Sequence, residues 1–161
     1  VDLNQVIKDV VELIQYTIQK SEAIIEYQTL PTVKSNPFLL QQVFQNLMGN
    51  ALKYSVPGVV PVISVSSTEN VTEFVFCVKD NGVGIDKENQ QTIFNIFKKG
   101  HSNKDISGSG IGLAICKKIM ELQNENIWVE SELGVGSKFY FTVPCTESLK
   151  FTPKKTATIQ C

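Results

Sequence analysis

The chain has 161 residues, 42% of them apolar, which is enough to bury the core of one ordinary domain and argues against a disordered chain. Its 15 basic and 16 acidic residues nearly cancel, and all 15 basic residues are lysine. That balance argues against a nucleic-acid partner, and with no guanidinium fork available an anion must be met by lysine, backbone N–H groups or a metal ion.

Residues Leu3, Val6, Ile7, Val10, Ile14 and Ile18 recur at helical spacing behind Asp2, which is placed to cap them, and predict one amphipathic helix. The short β-branched run 23–27 predicts a strand, closed by Pro31. A second helix is expected from an Asn36 cap, with Pro37 at its first position, to about Tyr54. Strands follow at 62–66 and 72–79, the second with Phe74, Phe76 and Val78 on one face. Asp86 is expected to cap a short helix through Phe97, and the aperiodic polar stretch 98–109 to be a mobile loop. A helix opening at Gly110 or Ile111 and running to about Leu122, then strands at 127–131 and 138–143, complete a domain of 1–145. Residues 146–161 read as a poorly ordered tail. Without strict βαβ alternation, the fold class is α+β: a two-layer α/β sandwich whose mixed sheet is covered on one face by helices.

The cysteines Cys77, Cys116, Cys145 and Cys161 contain no CxxC pair, and His101 is the single histidine, so reduced structural thiols are expected rather than a zinc site. No run of 18 apolar residues and no leader segment is present, which predicts a soluble, cytoplasmic chain without direct membrane contact. A start without methionine suggests an excerpt from a longer protein.

Four stretches could carry chemistry. At about 100° per residue, Asn46, Asn50 and Lys53 share roughly a 60° arc of the second helix, opposite Leu40, Phe44, Leu47 and Ala51. Alone the triplet would equally suit a solvated face, but asparagine is a poor helix former, and a carboxamide oxygen is a hard, neutral ligand suited to Mg²⁺. Asp80-Asn81-Gly82-Val83-Gly84 ends a strand, and Asp80 continues the face of Phe74, Phe76 and Val78, so its carboxylate should enter whatever that face lines. Gly108-Ser109-Gly110-Ile111-Gly112-Leu113 runs into a helix, whose free N–H groups suit an anion. Gly134-Val135-Gly136-Ser137 is most simply a hairpin turn.

In this order and spacing, these stretches resemble the ATP-binding catalytic domain of sensor histidine kinases, in the superfamily shared with gyrase, the mismatch-repair ATPases and the heat-shock chaperone ATPase. Asn46-Leu47-Met48-Gly49-Asn50-Ala51-Leu52-Lys53-Tyr54-Ser55 is similar to the N box. Asp80 to Gly84 and Gly108 to Leu113 are similar to the two glycine boxes, and Ile93-Phe94-Asn95-Ile96-Phe97 to the F box. The resemblance covers about residues 1–144 and implies the Bergerat-type ATP-binding fold.

It also implies roles. Asn50, assisted by Asn46, would hold the Mg²⁺ that bridges the ATP phosphates, and Lys53 would contact those phosphates. Tyr54 would pack on the adenine and Asp80 would accept from its exocyclic amine, with Ile85 and Phe97 also among the nucleotide-binding residues. Gly82 and Gly84 would let the backbone close on the base, Gly110 and Gly112 would cradle the phosphates at a helix start, and Gly108, Ile111 and Leu113 would also bind the nucleotide. Residues 98–109 would be the ATP lid. The family usually carries arginine just after the F box; here Lys98 and Lys99 would supply the charge without the bidentate fork. Gly49 stands where a polar residue often precedes the metal asparagine, and 123–126 replace a usual glycine pair, with Asn124 able to adopt the left-handed conformation.

The family's phosphoacceptor histidine lies on a separate helical domain, which this chain lacks. The implied partners are that phosphoacceptor and dimerisation domain and a downstream response regulator, with the isolated piece monomeric. The alternatives are an ATP-hydrolysing clamp, a serine kinase of the same superfamily, or a nucleotide-binding module without transfer. The clamp is disfavoured because those relatives place a water-activating glutamate where this chain has Asn46.

Overall fold

A computed structural model describes residues 1–95 and 111–145. The elements are α1 (Leu3–Leu13), α2 (Gln15–Ser21), β1 (Ile24–Tyr27), α3 (Pro37–Lys53), β2 (Val62–Glu69), β3 (Glu73–Asp80), α4 (Lys87–Gln90), α5 (Gly112–Leu122), β4 (Ile127–Glu132) and β5 (Gly136–Pro144). The five strands form one sheet in the order β1-β2-β3-β5-β4, with β1 parallel to β2 and every other pair antiparallel. It is the mixed sheet expected of the α+β reading.

Period-two alternation decides which sheet face is covered. Ile63, Val65, Phe76, Val78, Phe139 and Phe141 point from the central strands into the core, where they meet Leu3, Ile7 and Val10 of α1 and Leu40, Phe44, Leu47 and Met48 of α3. At its centre Phe76 and Phe141 stack at 5.2 Å, and Phe44 descends edge-on to within 5.1 Å of Phe141. Such aromatic contacts add to area burial and tie α3 to the middle of the sheet. α3 is thus fixed over β3, and α5 packs beside it.

The predicted first helix is divided. Ile14 leaves helical geometry at φ −104° and ψ 13°, and the chain resumes as α2. No proline or glycine stands there; the buried stripe ends at Val10, while Leu13 and Tyr16 turn to solvent and Ile14 and Ile18 stay only partly covered. The helix expected through Phe97 also stops early, at Gln90. Beyond it, bonds such as Thr92 N–H to Asn89 carbonyl tighten the chain into turns, from which Ile93 and Phe94 pack, partly buried, against the core. Phe97, the expected lid 98–109 and the tail 146–161 lie outside the described residues.

The caps follow the sequence. The Asp2 carboxylate accepts from Asn4 N–H at 2.9 Å, and the Asn36 side chain accepts from the N–H groups of Phe38 and Leu39 with Pro37 in the first turn. Asn36→Ala removes the acceptor of two otherwise unbonded donors. It should cost about 1 kcal/mol in chemical denaturation, with no change in the folded spectrum. Asn124 is left-handed at φ 57°, as its place after α5 suggested.

Candidate nucleotide site

The end of α3, the turn after β3 and the β4–β5 hairpin are bonded into one structure. The Tyr54 carbonyl, at the C-cap of α3, accepts from Val83 N–H at 2.9 Å. The Val83 carbonyl in turn accepts from Gly134 N–H at 2.9 Å. A Cβ on Gly82 would stand 2.5 Å from the Tyr54 carbonyl oxygen, so the close approach of turn and helix needs glycine. Asn81 fastens the other side, accepting from Val62 N–H at 2.8 Å and donating to the Val60 carbonyl.

Asp80 lies at the centre of this arrangement. Its Oδ1 accepts from Gly82 N–H at 2.8 Å and from Ser137 N–H at 3.3 Å, which leaves Oδ2 as the oxygen open to a further donor. Burial pushes its carboxyl above the ordinary carboxylate value, against the opposing pull of those two N–H groups. A desolvated, oriented carboxylate beside α3 is what an acceptor of one ligand N–H requires.

Ile85 is half-buried against the core, with its N–H donating to Ser131 Oγ at 2.8 Å. Ser131 and Ser137, directly paired across β4 and β5, join hydroxyls at 2.7 Å. Gln90 Nε2 donates to the Ile85 and Ser131 carbonyls at 2.7 and 2.9 Å. Ser131 and Gln90 escaped the sequence reading, which named Ser137 only as part of a hairpin turn: strand register alone brings the serines together, and Gln90 carried no motif at all.

On α3, Asn46 and Asn50 are half-buried and Lys53 is exposed, its ammonium 5.7 Å from the ring centroid of half-exposed Tyr54. The Asn46 carboxamide faces α5: Oδ1 lies 3.5 Å from where a Gly112 Cβ would stand, and Nδ2 is buried without a regular hydrogen bond. The N box and the second glycine stretch, 66 residues apart from Asn46 to Gly112 (112 − 46), therefore meet. α5 begins at Gly112 with Ile111 as its N-cap and no side-chain cap, so its first N–H groups are not taken by a capping side chain. Ile111 is exposed and Leu113 packs on the core. Lys98, Lys99, Gly108 and Gly110 lie outside the described residues, as does Phe97.

Among the described residues no three His, Cys, Asp or Glu gather into a cluster that could hold a metal by themselves. Two carboxamides one turn apart, beside a helix start, instead fit a hard cation whose remaining ligands are phosphate oxygens and water.

A helix-backed mixed sheet with such a seam defines an ATP-binding α/β sandwich. Residues 35–147 match the family described as histidine kinase-, DNA gyrase B- and HSP90-like ATPases. The chain belongs to that family, as an ATP-binding catalytic domain of the histidine-kinase type. It is 44% identical over 127 residues to cyanobacterial phytochrome A of a Nostoc species, covering 79% of this chain and 16% of that one. It is 38% identical to the heme sensor protein HssS of Staphylococcus saprophyticus over 144 residues, 88% of this chain and 30% of that one. The solved catalytic domain of the histidine kinase ThkA superposes with a TM-score of 0.76 at 28% identity, covering 90% of this chain and 93% of that one. The chain thus spans less than a third of the length of these two relatives. No described helix is long and apolar enough to cross a membrane.

Proposed function

We propose that this domain binds Mg-ATP in the seam between α3, α5 and the turn after β3, and passes the γ-phosphoryl group to a histidine on a separate helical domain in the cytoplasm. From there the group would pass to a response regulator. The observation that carries the reading is that one helix, α3, meets both the turn that holds Asp80, at its Tyr54 end, and the uncapped start of α5, at Asn46. Phosphoryl transfer asks a protein mainly for positioning and charge neutralisation, and these groups supply both without a nucleophile.

Asp80 accepts from the adenine amine, with Ile85 and Tyr54 bordering the base. Asn50, with Asn46 beside it, would hold Mg²⁺, which would supply neutralisation of phosphate charge. Lys53 contributes a cation at the phosphate end, joined by Lys98 and Lys99. The N–H groups at Ile111, Gly112 and Leu113 receive the phosphates, together with Gly108 and Gly110. A hydrolytic clamp is the weaker reading, since Asn46, one turn before Asn50, cannot act as a base towards water.

The test is transfer in trans. Incubated with γ-labelled ATP and its helical histidine domain, the protein should label the partner with an acid-labile, base-stable phosphate. Acid-stable label would indicate a serine kinase, and rapid phosphate release without a partner would indicate an ATPase.

A further inference from the structure

We propose that Gln90 is a positioning residue for the adenine end of the site: its amide nitrogen clamps the turn after β3 to the β4–β5 hairpin and so sets where Ile85 stands relative to Asp80. The inference rests on the reading of Asp80 and Ile85 as residues that meet the base. Each end of the turn is tied to the hairpin separately. At its start, Asp80 Oδ1 accepts from Ser137 N–H at 3.3 Å. At its finish, Ile85 N–H donates to Ser131 Oγ at 2.8 Å, while Gln90 Nε2 donates to the Ile85 carbonyl at 2.7 Å and to the Ser131 carbonyl at 2.9 Å. Ile85, Gln90 and Ser131 thus close a ring of hydrogen bonds.

A carboxamide suits that ring. Its NH₂ group carries two protons and each finds one carbonyl, whereas an oxygen in the same place would face two acceptors, so the surroundings dictate which way the amide points. Gln90 is itself held from behind. Its backbone N–H donates to the Asp86 carbonyl at 3.1 Å, in a turn that the Asp86 carboxylate caps by accepting from Asn89 N–H at 2.8 Å. Just beyond it Ile93 and Phe94 pack against the core, Phe94 edge-on to Phe139 with centroids 6.2 Å apart. The amide is therefore anchored to the sheet, and its bonds pass that fixed position on to Ile85. Asp80 keeps its own bonds to Gly82 and Ser137 whatever stands at position 90. Loss of the clamp should therefore free the apolar wall while the acceptor stays in place, and should leave the phosphate end, on α3 and α5, as it was.

Gln90→Met keeps the length of the side chain and removes both donors. In calorimetric titrations well below its melting temperature, the variant should bind ATP about tenfold more weakly, the scale of one or two neutral hydrogen bonds. The loss should be the same in Mg²⁺ and in EDTA, because the defect lies at the base and not at the phosphates. Ser131→Ala opens the same ring from the hairpin side, and the double variant should lose less than the product of the two single losses, as coupled neighbours do. If methionine prevents folding, Gln90→Asn, whose amide is one methylene short of the two carbonyls, is read the same way. A lower Tm with unchanged ATP affinity would make Gln90 purely structural and overturn the proposal while the nucleotide reading stands. A loss confined to Mg²⁺, or single losses that simply multiply, would overturn it equally. Wild-type protein that binds no ATP would overturn the nucleotide reading and the proposal with it.

Discussion

Asp80→Asn is expected to lower ATP affinity about thirtyfold while making the protein more stable at neutral pH. The loss follows from replacing a charged acceptor by a neutral one in a desolvated place, worth about 2 kcal/mol. Asparagine can keep Oδ1 in its bonds to Gly82 and Ser137, so the turn should stay intact. The stability gain follows from the raised carboxyl. Burial holds the folded-state value above the ordinary 3.8, so between the two values the folded chain binds more protons than the unfolded one. Stability from this group is therefore lost as pH rises from the ordinary value through the raised one, and the penalty persists above it. Urea denaturation of both proteins across that window should give a difference that grows with pH and then levels. A variant less stable than wild type at neutral pH would mean that the two N–H bonds outweigh desolvation.

Gly84→Ala is expected to cost about 3 kcal/mol, roughly a 10 °C fall in Tm for a chain of this size. Gly84 sits at φ 77°, and a Cβ there would fall on the Glu132 carbonyl oxygen, with the Leu133 Cα at 2.9 Å. Both obstacles are backbone, so neither can rotate away. Relief would require pushing the β4–β5 turn outward, past the Gly134-to-Val83 hydrogen bond, and with it the Ser137 N–H that orients Asp80. Gly134→Ala is the control. Its φ of 81° is equally left-handed, but a Cβ there meets nothing within 4 Å, so it should cost only about 1 kcal/mol. Equal melting temperatures for the two variants would show that the collision with Glu132 does not occur.

Much of this architecture could be read in advance because local chemistry and global packing agree. The Asn36 cap with Pro37, the alternation through Phe74, Phe76 and Val78, and the left-handed Asn124 all say locally what the fold requires. The break at Ile14 and the early end of α4 could not be read, because no proline or glycine marks either place in the sequence. The same division runs through the site. Asp80 and the asparagines of α3 stood out by type and spacing. The Ser131–Ser137 pair depends on hairpin register, and the approach of Gly112 to Asn46 on how α5 lies against α3, so neither leaves a mark in one dimension.

The central claim, that this domain holds ATP together with Mg²⁺, is tested most directly by calorimetric titration of the wild-type chain with ATP, once in Mg²⁺ and once in EDTA. Saturable one-to-one binding that is tighter in Mg²⁺ is the expected result. Absence of binding, or identical affinity in the two buffers, would contradict it.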